Sequence, residues 1–137
     1  MGRIRARDTG IEVFLRHYLF ALGYRYRKND KRYPGRPDIV LPRYRVATYV
    51  NGCFWHGHGC ALDSEVKSNT EFWREKIRRN KERDERNHRD MMALGFRVIV
   101  VWECAFRANK EILPILLSLE EEIRKGSNSY VEFPFQL

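Results

Sequence analysis

Residues 96–102 read FRVIVVW, an apolar run broken only by Arg97. A stretch this continuously apolar is the pattern of a strand covered on both faces, so helices are expected on either side of a sheet. The flanking sequence supplies them. Upstream, Glu71 to Leu94 reads as a long charged helix, with Thr70 as its N-cap and Gly95 as its stop. Downstream, a last helix ends near Gly126, and Pro114 obscures its start. Towards the N-terminus, YRYR after Gly23, DIVL and RVATYV read as three strands of a meander, with a turn at Pro42-Arg43-Tyr44. A first helix from Gly10 to Leu22 shows capping-box spacing at Thr9 and Glu12, with Val13, Phe14, Tyr18, Leu19 and Leu22 as its apolar face. The order αβββαβα predicts an α/β sandwich around a mixed sheet.

At 137 residues the chain is expected to form one domain, residues 1–137, large enough for a core without disulfides. The longest apolar runs are too short to span a bilayer, and MGRIRARDTG lacks the apolar centre of a signal peptide, so a soluble, cytoplasmic protein is expected. The net charge is +8, and its excess lies in residues 1–45, where 12 Lys/Arg stand against 4 Asp/Glu. A polyanionic partner suits that placement, and a solvated, solubilising face suits it too.

Two groups of residues can carry chemistry. NGCFWHGHGC at 51–60 crowds two thiols, two imidazoles and two large rings into ten residues. Cys53, His58 and Cys60, closed by Cys104 just after FRVIVVW, would give a tetrahedral zinc four ligands and leave no open position, hence a structural ion. Buried, unligated thiols are the plainer reading. In PGRPDIV, Asp38 opens a strand after a Pro-flanked loop, where nucleases hold Mg2+ against the scissile phosphate. A loop aspartate accepting backbone N–H groups fits the same stretch. On the long helix, Trp73, Ile77, Asn80, Asp84, Asn87, Met91 and Leu94 share one stripe whose middle is polar, so Asn80 and Asp84 face a polar site or a neighbouring loop.

The ordered set IE, PGRPDIV, NGCFWHGHGC, NTEFWREKIRRNKERD and LGFRVIVVWEC resembles the very-short-patch (Vsr-type) DNA mismatch repair endonucleases, from about Met1 to Cys104. The resemblance implies a restriction-endonuclease-like αβββαβ core and a monomeric, Mg2+-dependent enzyme that nicks double-stranded DNA at a T:G mispair, with mismatch-repair proteins as possible partners. It assigns Mg2+ to Asp38 and the Val50 carbonyl, proton transfer to His56, and a supporting role to Glu12. It also implies structural Zn2+ on Cys53, His58, Cys60 and Cys104. Phe54, Trp55 and Trp73 would wedge into the DNA, Asn80 and Arg36 would contact it, and Asp84 would lie near the site.

Two departures stand out. Asn51 replaces a histidine that most members carry, so a second active-site imidazole is missing. The chain also starts at Met1 where relatives extend upstream, so a DNA-embracing arm is expected to be short or absent. These departures keep two alternatives open, namely a nuclease of altered DNA specificity and a non-catalytic zinc module that binds DNA.

Overall fold

The computed structural model describes residues 10–53, 70–107 and 112–133. Its elements run α1 (Gly10–Ala21), β1 (Ile39–Leu41), β2 (Val46–Asn51), α2 (Thr70–Ala93), β3 (Arg97–Trp102), α3 (Cys104–Arg107), α4 (Leu113–Lys125) and β4 (Tyr130–Phe133). The four strands form one sheet in the order β1-β2-β3-β4. β1 and β2 pair antiparallel across the Pro42 turn, whereas β2–β3 and β3–β4 pair parallel. Parallel neighbours need a crossover, which α2 supplies for the first pair and α3–α4 for the second.

FRVIVVW is the centre of the molecule because the strand period of two sorts its side chains onto two cores. Val98, Val100 and Trp102 join Val40, Ala47, Tyr49 and Met91 of α2 on one face. Ile99 and Val101 join Leu15 and Leu19 of α1 and Leu116, Leu119 and Ile123 of α4 on the other. Full burial of a side chain such as Ile99 contributes about 2–3 kcal/mol. Helix ends are tied to strand ends by arginines. Arg45 Nη2 donates to Leu94 O at 2.7 Å, and Arg97 donates to Glu122 O and Ile123 O at 2.9 and 2.8 Å. Cations there satisfy the last carbonyls and oppose the helix dipole. Gly95 ends α2 at φ 89°, the left-handed position expected of a helix stop.

Four expectations change. YRYR is not a strand; only Arg27 bridges Val40, through two backbone hydrogen bonds of 2.9 and 2.8 Å. Tyr24 turns inward, and its hydroxyl donates to Glu120 at 2.7 Å; burial first, and then this bond, push the phenol up to about 12. The meander is therefore two strands and a bridge. The second change is at the C-terminal end, where YVEF forms β4 with Val131 and Phe133 buried. Third, the buried face of α1 is Glu12, Leu15, Arg16 and Leu19, while Phe14 and Leu22 lie exposed. The helix is rotated because it buries a charged pair rather than its largest rings. Last, Leu94 falls off the α2 stripe into solvent, and His88 is buried instead against Tyr49, ring centroids 4.7 Å apart. Thr9, and with it the capping box, lies outside the described residues.

Candidate active site

Asp38 is delivered by a loop pinned from two sides. Tyr49 of β2 donates its hydroxyl hydrogen to Pro34 O at 2.7 Å. Gly35, at φ 73°, packs on Asn87 of α2 so closely that a Cβ there would come within 2.9 Å of Asn87 Nδ2. This contact gives the polar stripe of α2 a purpose, since Asn87 buttresses the loop. Gly35→Ala is expected to cost about 2–3 kcal/mol through φ strain and overlap, and Asn87→Gly to recover only the overlap, both readable from chemical denaturation.

The next residues turn sharply, with Arg36 at φ 50° and its N–H donating to Tyr33 O. Asp38 then sits buried at the edge of the sheet, where the Val50 N–H donates to its Oδ2 at 2.6 Å. Two positions the sequence singles out, Asp38 and Val50, are thus in direct contact. Glu12, 2 % exposed, reaches the same place from α1, and its carboxyl acts directly on that of Asp38. Two buried carboxyl groups sharing a site favour the state in which one of them holds a proton. Burial, and then the charge of Glu12, push the Asp38 carboxyl well above the usual carboxylate range, against the pull of the Val50 N–H and Arg16.

Arg16, which the sequence reading passes over, completes the cluster. It is 4 % exposed, one turn beyond Glu12, with Nη1 3.8 Å from Glu12 Oε2. The signal was the i,i+4 Glu-Arg spacing inside an otherwise apolar helix.

The second constellation gathers where β2 and β3 end. Their parallel register pairs Asn51 with Trp102, so Cys53 and Cys104 each follow two residues later. Both are buried in the same core cluster. The two strand ends are laced together, with Glu103 N–H donating to Asn51 O at 2.9 Å and Cys53 N–H donating to Glu103 Oε1 at 3.1 Å. Asn51 is itself buried. Phe54, Trp55, His56, His58 and Cys60 lie outside the described residues, and among the described residues no three His, Cys, Asp or Glu gather into a metal cluster.

On α2, Trp73 is half-buried, meets Phe72 edge-on at 5.3 Å, and carries the Lys76 ammonium 5.8 Å from its ring centre. Asn80 Oδ1 accepts from Arg83 at 3.1 Å. Asp84 is half-buried and acts with Asp38 on Tyr49, whose phenol is raised by burial first and then by these two carboxylates. Arg36 is half-buried, and its Nε makes no hydrogen bond among the described residues.

A mixed sheet between helix layers, with a buried acidic pair at its edge, is a restriction-endonuclease-like architecture. Residues 1–62 match the family model described as DNA mismatch endonuclease Vsr. The chain is 52 % identical over 112 residues to the type II nicking enzyme V.NmeAIP of Neisseria meningitidis serogroup A, covering 82 % of this chain and 79 % of that one. It is 44 % identical over 135 residues to the DNA mismatch endonuclease Vsr of Escherichia coli, covering 96 % and 86 %. A third relative, the type II nicking enzyme V.XorIIP of Xanthomonas oryzae pv. oryzae, is 44 % identical over 104 residues, 76 % of each chain. The chain belongs to the Vsr family of DNA mismatch endonucleases.

Proposed function

We propose that this DNA endonuclease nicks one strand of duplex DNA beside a T:G mispair, using Mg2+ held by Asp38. The observation that carries the reading is the buried Asp38–Glu12 pair set against the Val50 peptide at the edge of the sheet. An all-oxygen donor set of this kind fits a hard cation such as Mg2+, and Asp38 with the Val50 carbonyl would hold it. When bound, the ion polarises the scissile phosphate and makes water a better nucleophile. Mg2+ takes Asp38 as the carboxylate, so binding of the ion is coupled to deprotonation of this buried group and weakens as pH falls. Glu12 keeps the Asp38 carboxyl oriented. His56 moves the proton, and Phe54, Trp55 and Trp73 enter the mispaired step, where unstacking costs less than in paired DNA. Asn80 and Arg36 contact the duplex, and Asn51 donates a hydrogen bond where an imidazole would carry charge.

Cys53 and Cys104, buried side by side in sequence register, suit thiolate coordination. With His58 and Cys60 they would hold a structural Zn2+ that locks the ends of β2 and β3.

The test is nicking of a labelled duplex with one T:G mispair against its T:A control. Mismatch-selective, Mg2+-dependent nicking is the expected result. Equal cleavage of both duplexes would indicate an altered DNA specificity, and binding without cleavage in Mg2+ or Mn2+ would overturn the catalytic reading.

A further inference from the structure

A buried cluster of two carboxyl groups and one guanidinium is costly to assemble, and each charge requires a partner. Glu12 and Asp38 are 2 % and 9 % exposed, and Arg16 is 4 % exposed. Arg16 Nη1 lies 3.8 Å from Glu12 Oε2. Its charge also acts on Asp38. The i,i+4 spacing places the guanidinium on the same face of α1 as Glu12, one turn further on.

We propose that Arg16 is the resident counter-cation of the metal site, a positioning residue that holds Glu12 and Asp38 together before the divalent ion arrives and then opposes its binding. The inference rests on the reading of Asp38 as the Mg2+ residue. Its physical consequence is a trade. A fixed positive charge beside both carboxyl groups keeps the metal-free enzyme folded and poised, and it would weaken the affinity for Mg2+. Mg2+ therefore stays exchangeable, and a productive site waits for DNA phosphate to add negative charge. Neither role needs Arg16 to touch DNA or the reacting atoms.

The test compares the full chain with Arg16→Met, which keeps bulk without charge, and Arg16→Lys, which keeps charge. Thermal unfolding without divalent ions and calorimetric titration with Mg2+ alone, in the absence of DNA, provide the readouts. Arg16→Met is expected to melt roughly 10 °C lower without metal, to bind Mg2+ on the order of tenfold tighter, and to gain more stability from Mg2+ than the parent does. Arg16→Lys is expected to stay near the parent in both. Unchanged melting and unchanged Mg2+ affinity in Arg16→Met would overturn the proposal, and so would an Arg16→Lys variant as impaired as Arg16→Met. If Arg16→Met does not fold without metal, a folded Arg16→Lys of parental stability supports the proposal, and its loss as well overturns it. A parent chain that binds no Mg2+ would sink the metal reading of Asp38, while the metal-free melting order would still judge Arg16.

Discussion

Asp38→Asn is expected to lose nicking activity by about a thousandfold, roughly 4 kcal/mol of transition-state stabilisation, while becoming more stable. The two effects have one cause. In the folded chain the Asp38 carboxyl is buried beside Glu12 and is raised well above its ordinary value. An asparagine amide oxygen can still accept the Val50 N–H, but it adds no charge next to Glu12, leaving Glu12 to Arg16. Removing a group that must hold a proton beside Glu12 is expected to stabilise the chain at neutral pH in the absence of metal.

The pH dependence follows with a definite sign. Between the ordinary aspartate value of about 3.9 and the raised folded value, the native chain holds a proton that the unfolded chain has released. Stability of the parent enzyme therefore contains a contribution that is present below that interval and lost as pH rises through it. The decline is expected to flatten in Asp38→Asn, measurable as denaturation midpoints across the pH range. A variant that loses activity without gaining stability would show that Asp38 is paired more favourably than its burial implies.

Cys104→Ser is the second large effect. Zinc content is expected to fall from one ion per chain to almost none, with a stability loss on the order of 5 kcal/mol. The reason is topological. Cys53 and Cys104 follow the last paired residues of two parallel strands, Asn51 and Trp102, so an ion gripping both would staple the ends of β2 and β3. The nearby Glu103–Cys53 and Glu103–Asn51 hydrogen bonds link the same strand ends without any ion. A chelator is expected to destabilise the parent to the level of the variant and to leave the variant unchanged. Full stability in Cys104→Ser would return these thiols to the plainer role of small buried residues.

What could be read from the sequence follows the strength of its periodicities. FRVIVVW gave the central strand because a run apolar at all but Arg97 fits a sheet covered on both sides. The long helix and its Gly95 stop were equally legible. YRYR misled because its alternation reflects Tyr24 entering a core beneath the sheet edge, and a single bridge at Arg27 satisfies the backbone there. The strand at Tyr130–Phe133 is four residues long, too short for its alternation to outweigh the following proline.

At the site, the motif resemblance singled out Asp38, Val50 and Glu12, which the fold brings into contact. The direct action of one carboxyl on the other was not visible, because it depends on how deeply α1 packs against the sheet. Arg16 escaped for a related reason, since an arginine four residues after a glutamate ordinarily marks a solvated helix face. Only the packing of α1 reveals that this face is the buried one.

The account depends on a divalent cation seated at Asp38, and electron paramagnetic resonance with Mn2+ tests this most directly. In the presence of mismatched duplex, the six-line signal of free Mn2+ should diminish when parent enzyme is added and persist when Asp38→Asn is added at the same concentration. Equal loss of the free signal with both proteins would place the cation elsewhere and contradict the account.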